Sequence, residues 1–208
     1  MMTHSPIIIG LTGNIGVGKS AALAVLRELG AYVIDADKVG HEVMTAGQPT
    51  CKKVAAAFGP DVVAATGGID RAKLAAIVFA DRAQLARLEA IVHPAVRQVI
   101  LDAIAASSAP VVVIEAIKLL ESPLRSLCHE IWVITAPEKV QLARLIRQRG
   151  MSEAEARGRM AAQSSQAVKV AQADVVIAND SDLLTLKSRL TAAWQALSTR
   201  YGNHFSGA

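Results

Sequence analysis

A chain of 208 residues, 52% hydrophobic and 19% charged, can bury one compact core with a small inserted region, which excludes global disorder. Aromatics are only 3% of it, so Val, Ile, Leu and Ala must fill the core, and little is left for a base-stacking surface. The net charge of +4, from 22 Lys+Arg against 18 Asp+Glu, suits an anionic ligand without calling for nucleic acid.

In chain order, the β-branched run at residues 7–11 predicts a buried strand ended by Thr12-Gly13. It is too short to cross a bilayer or to serve as a secretory signal, so no membrane partner is expected and the cytoplasm is the default location. Residues 19–29 carry helical spacing through Leu23, Leu26 and Leu29, with Gly30 as the C-terminal stop. A second strand covers residues 32–35. From Lys38 to Ser107 the chain reads as helical and alanine-rich, broken at Gly59-Pro60 and Gly67-Gly68, with a helix start at Asp81-Arg82-Ala83-Gln84. Further strands are expected at 111–114, 131–134 and 175–177. Capping boxes are read at Thr135-Ala136-Pro137-Glu138 and at Ser152-Glu153-Ala154-Glu155. A last helix over about 183–197 precedes a loose tail at 202–208. Cys51 and Cys128 are isolated, with no zinc spacing, and fit ordinary thiols in a reducing compartment. Strands separated by helices imply an α/β fold, a parallel sheet flanked by helices, whose ligands sit beyond the carboxyl ends of the strands.

Gly13-Asn14-Ile15-Gly16-Val17-Gly18-Lys19-Ser20, followed by Ala21, has the G-x-x-x-x-G-K-S form of a P-loop. Glycines let successive backbone N–H groups point at phosphate oxygens, and the N-terminus of the next helix adds partial positive charge. Lys19 is expected on the β- and γ-phosphates of ATP, and the Ser20 hydroxyl on Mg²⁺. Asp35-Ala36-Asp37 ends the second strand. Asp37 is the candidate base for an acceptor hydroxyl and Asp35 a candidate for the metal's water shell, while either could simply cap the following helix. Arg144, Arg147 and Arg149 precede Gly150, and Arg157 and Arg159 follow; such guanidinium groups can stabilise phosphate charge from a mobile lid, or form a solvated face. Arg144 and Arg149 are the catalytic candidates, with Arg147 an alternative to Arg149. Glu115, after the third strand, could assist the metal or the acceptor. His93-Pro94 lacks metal spacing and reads as a helix punctuated by proline.

Together these segments resemble the dephospho-coenzyme A kinase family over about residues 7–195. The pieces are GLTGNIGVGKS (10–20), DADKVGHEV (35–43), Ile69-Asp70-Arg71 with Val78-Phe79, LEAIVHP (88–94), the lid with Gln163, and ADVVIAN (173–179). The resemblance implies a P-loop kinase spanning about 5–201. Its nucleotide core would be 5–37, 108–140 and 173–201, with a helical acceptor region at 38–107 and an arginine-rich lid at 144–168. It implies ATP-dependent phosphorylation of the ribose 3′-hydroxyl of dephospho-coenzyme A. Asp37 would be the base, Asn179 would belong to the adenine site, and His93, Glu115 and Lys118 would stand with Asp35 on the acceptor side. Asn14 replaces a family glycine and Ala21 a threonine, while Glu115 and Lys118 stand where the family pattern D-x-P-L-L-x-E has Asp and Leu. A nucleoside or nucleotide kinase shares the architecture. A GTP switch would use Asp37-Lys38-Val39-Gly40 as D-x-x-G, but N-K-x-D is absent from the chain.

Overall fold

The computed structural model describes residues 5–202. In chain order it contains β1 (Ile7–Thr12), α1 (Lys19–Glu28), β2 (Tyr32–Asp35), α2 (Ala36–Glu42), α3 (Pro49–Phe58), α4 (Arg71–Ala80) and α5 (Arg82–Ala106). There follow β3 (Val111–Glu115), β4 (Glu130–Thr135), α6 (Glu138–Arg149), α7 (Glu153–Ala161), α8 (Gln166–Val170), β5 (Val175–Ala178) and α9 (Leu183–Arg200). Two compact units divide the chain: residues up to 34 with those from 107 on, and residues 35–106.

The first unit is built on a five-stranded sheet in the order β2-β3-β1-β4-β5. β1 pairs in parallel with β3 and β4, and β4 with β5. Ile7, Ile9 and Leu11 share one face with Val111, Val113, Trp132 and Ile134, and pack on Leu23 and Leu26 of α1 and Leu186, Leu190 and Leu197 of α9. β3 is buried along its whole length, which is why its sequence VVVIE is nearly continuous apolar instead of alternating. On the opposite face Gly10 is required by close approach: a Cβ there would lie 2.6 Å from Leu119 Cδ2 and 2.7 Å from Cys128 Sγ. The register aligns Leu11 with Glu115, Thr12 with Val133, and Thr135 with Ala178. The carboxyl ends of β1, β3, β4 and β5 thus form one edge, from which the segments after Thr12, Glu115, Thr135 and Ala178 emerge.

Local signals are obeyed at most element ends. Gly30 follows α1 with φ +99°, its N–H donating to the Arg27 carbonyl at 3.0 Å, and Ser152 accepts from the Glu155 N–H at 3.2 Å to start α7. The capping box expected at Thr135 is a correction. Thr135 is the last residue of β4, Pro137 stands at the N-cap, and no side chain caps α6. Pairing of Thr135 with Ala178 in the sheet takes the residue away from the helix. The final helix extends to Arg200, three residues beyond expectation. The expected loose tail lies outside the described residues from 203 on.

The second unit comprises α2 to α5. Cys51, Val54, Val62, Ile69, Leu74 and Val78 form its core, with Leu85, Leu88, Ile91 and Val92 of α5 packed against it. The Gly67-Gly68 break is a turn closed by an antiparallel bridge between Val63 and Ile69. α5 carries Pro94 inside 25 residues of continuous helix.

Candidate active site

The segment between β1 and α1 is shaped by its glycines. Gly16 and Gly18 have φ of +78° and +89°, a region that side-chain-bearing residues rarely enter. A Cβ on Gly16 would lie 2.9 Å from the Gln141 carbonyl oxygen, and one on Gly18 would strike the Asn179 amide. The loop is therefore closely backed by the rest of the unit. Gly18 caps α1 with no side-chain hydrogen bond. The amides of Gly16, Gly18 and Ser20 make no hydrogen bond among the described residues. Donors of this kind at a helix N-terminus suit a phosphate group. Ser20 is exposed in the first turn, with its hydroxyl in reach of solvent. No group of three or more His, Cys, Asp or Glu residues could hold a metal among the described residues. The donors fit Mg²⁺, which is commonly held by phosphate oxygens, water and one or two protein groups.

Several side chains hold this loop from behind. Arg144, half-buried on α6, donates to the carbonyls of Val17 at 3.1 Å and Gly16 at 3.4 Å and to Asn179 Oδ1 at 3.2 Å. Asn179 Nδ2 donates to the same Val17 carbonyl at 2.7 Å. Gln141 Nε2 reaches the Ala136 carbonyl at 2.8 Å. The segment 163–166 adds a second set of ties. Gln163 Oε1 accepts from the Ile15 N–H at 2.7 Å, Asn14 Nδ2 donates to the Ser164 carbonyl at 3.0 Å, and Gln166 Oε1 accepts from the Ala136 N–H at 3.1 Å.

Lys19 folds back along the loop. Its Nζ donates to the Gly13 carbonyl at 2.9 Å and lies 3.6 Å from Glu115 Oε1, both side chains being largely buried. Two residues past Glu115, the Ile117 carbonyl accepts from Thr12 Oγ1 at 3.1 Å and from Lys169 Nζ at 2.7 Å. Lys169 is only 2% exposed. Burial pushes its ammonium below the usual lysine range; Glu121 offsets part of this, and the like charge of Lys19 adds to it. Lys169, Gln166 and Thr12 escape sequence reasoning, because an isolated lysine or glutamine on a short helix carries no local signal of what it touches.

The remaining candidates are placed as follows. Lys118 is exposed ahead of the 3-10 turn Leu119–Glu121. Arg147 and Arg149 are exposed at the end of α6 and form no ion pair among the described residues, so the three arginines of the cluster do not act alike. Arg157 pairs with Glu153 at 2.7 Å and Glu138 at 3.8 Å, and Arg159 with Glu155 at 2.8 Å, all on the surface. In the second unit Asp35 caps α2, its Oδ1 accepting from the Lys38 N–H at 2.8 Å. Asp37 is exposed in the first turn of α2, and His93 is half-buried within α5.

Comparison with known proteins gives a consistent result. The family profile described as Dephospho-CoA kinase matches residues 7–185. The Dephospho-CoA kinase of Streptomyces avermitilis is 45% identical over 190 residues, covering 91% of this chain and 93% of its own. That of Geobacillus kaustophilus is 42% identical over 197 residues, covering 92% and 98%. The crystal structure of TT1252 from Thermus thermophilus superposes with a TM-score of 0.84 at 33% identity, over 93% of this chain and 98% of that one.

Proposed function

The chain belongs to the dephospho-CoA kinase family, and from that premise we propose that it transfers the γ-phosphate of Mg-ATP to the ribose 3′-hydroxyl of dephospho-coenzyme A. The observation that carries the reading is the glycine loop: the amides of Gly16, Gly18 and Ser20 have no hydrogen-bond partner among the described residues, and the Lys19 ammonium lies 2.9 Å from the Gly13 carbonyl of the same loop. In this reading residues 13–21 bind the donor phosphates, and Lys19 leaves the Gly13 carbonyl for the β- and γ-phosphates. Ser20 holds Mg²⁺, which when bound neutralises phosphate charge. Asp37 accepts the proton of the attacking hydroxyl. Asp35 keeps α2 in place through its cap. The helical region 38–107 is assigned to the acceptor together with His93, and Glu115 and Lys118 to the adjoining end of β3. The segment 144–168 is assigned as the lid, with Arg149 brought in when substrates bind. Asn179 and Arg144 hold the loop in its phosphate-binding form, and the adenine is placed near Asn179.

Among the described residues no helix is long and apolar enough to cross a membrane. The substrates are small and polar, and we assign the enzyme to the cytoplasm. The test is transfer of label from γ-labelled ATP. Labelled coenzyme A should form from dephospho-coenzyme A, and far faster than any product from a nucleoside or nucleotide; preference for a nucleoside would overturn the acceptor. Chelation of divalent cations should abolish turnover, and full activity without them would remove Ser20 from its metal role.

A further inference from the structure

Two ammonium groups converge on the carboxyl edge of the sheet; Lys19 has Glu115 at 3.6 Å, whereas Lys169 has no carboxylate at ion-pair distance among the described residues and feels Glu121 only from farther away. Lys169 is more deeply buried, at 2% exposure, and forms no ion pair among the described residues. Among the described residues its one hydrogen bond is to the Ile117 carbonyl, which Thr12 Oγ1 also serves. A buried cation whose single hydrogen-bond partner is neutral is costly; Glu121 offsets part of that cost, and the nearby charge of Lys19 adds to it. Such an arrangement is explained if an anion completes it. Holding the Ile117 carbonyl alone would not require a full charge, since the threonine hydroxyl already donates to it.

The site is built rather than incidental. The segment carrying Lys169 is fastened to the phosphate loop at Asn14 and Ile15 and to Ala136 after β4. Thr12, which shares the Ile117 carbonyl, immediately precedes Gly13. An ammonium has three N–H groups, and Ile117 engages one. We propose that Lys169 is a second phosphate ligand, binding the terminal phosphate of the nucleotide donor alongside Lys19. Its contact with Ile117, which stands two residues beyond Glu115, and the nearby charge of Lys19 favour the outer end of the polyphosphate, where charge spreads during transfer. The proposal rests on ATP as donor but not on the identity of the acceptor, which is absent from the binding measurements below.

The test compares the full-length wild type with Lys169→Met, which keeps length and removes charge, and Lys169→Arg, which keeps charge. Each is titrated with a non-hydrolysable ATP analogue, ADP and AMP, and melted without nucleotide. Lys169→Met should bind the ATP analogue about 10- to 100-fold more weakly, bind AMP within about threefold of wild type, and melt no lower. Lys169→Arg should recover part of the loss. An unchanged affinity for the ATP analogue in Lys169→Met would overturn the proposal, and so would equal weakening towards ATP analogue, ADP and AMP. Should the methionine variant fail to fold, the ¹⁵Nζ resonance of Lys169 in the wild type decides: it must shift on adding the ATP analogue and not on adding AMP, and no shift rejects the contact. Absence of dephospho-coenzyme A turnover in the wild type, with this binding pattern intact, would instead count against the acceptor.

Discussion

Replacing Arg144 by Met separates a residue that shapes the phosphate loop from one that touches the reacting phosphate. Of its three contacts, those to the Val17 carbonyl at 3.1 Å and Asn179 Oδ1 at 3.2 Å are of ordinary length, and that to Gly16 at 3.4 Å is marginal. A hydrogen bond from a charged donor contributes about 1.5–3 kcal/mol. The guanidinium is half-buried, so solvent screening reduces each to about 1 kcal/mol. Two such bonds give a loss of about 2 kcal/mol, or about 4–8 °C in Tm for a chain of this size. Because the bonds hold the loop, the same loss should reach nucleotide binding: up to about 30-fold weaker ATP affinity, with kcat changed less than about tenfold. Asn179 Nδ2 still holds Val17 at 2.7 Å, so the loop should weaken without collapsing. The assays are calorimetric melting, ATP titration and steady-state kinetics. A fall in kcat of about a thousandfold with Tm and ATP affinity unchanged would refute the reasoning, because that is the pattern of a cation acting only in the transition state.

Lys19→Ala should lower kcat by at least about 100-fold while the circular dichroism spectrum keeps its native form; normal turnover would remove Lys19 from phosphoryl transfer. Asp37→Asn, at an exposed first-turn position, should cost about 100-fold or more in kcat with no change in Tm, and a loss below about fivefold would reduce Asp37 to a favourable charge at the start of α2. Cys128 supplies a pH test. Burial raises its thiol from 9.0 to about 11, against a smaller opposing effect of Arg125. The folded protein therefore holds this proton more tightly than the unfolded chain, and the resulting stabilisation, up to about 3 kcal/mol, is complete below pH 9 and lost as pH rises towards 11. Cys128→Ala should flatten that part of the stability profile, as read from denaturant midpoints at pH 8 and 10.5; parallel profiles for the two proteins would contradict it.

The way the capping signals turned out shows where local reading works. Asp35 and Ser152 cap helices because the signal and its target lie three residues apart, and nothing else competes for the side chain. Thr135 carries the same signal and does not cap, because β4 continues through it to pair with β5. The alternating and continuous apolar runs similarly located all five strands, with ends that moved by about a residue once neighbours completed the ladder. The arginine cluster shows the opposite case. Arg144 and Arg149 look alike in sequence, yet Arg144 turns in beneath the loop while Arg149 is exposed. Only which face of α6 is buried, the one with Gln141 and Leu145, distinguishes them.

Contiguous residues by themselves determined the glycine-rich loop between β1 and α1, the family, and the α/β order of elements. These depend on backbone conformations and short-range bonds that a few adjacent residues impose. The tertiary structure alone decided what surrounds that loop. The ties from Arg144, Gln163 and Asn179 reach across 127, 148 and 162 positions, and Lys169 meets Ile117 across 52. Such contacts follow from which helix face is buried and how the strands are ordered, so their energy belongs to the assembled sheet and not to any one segment.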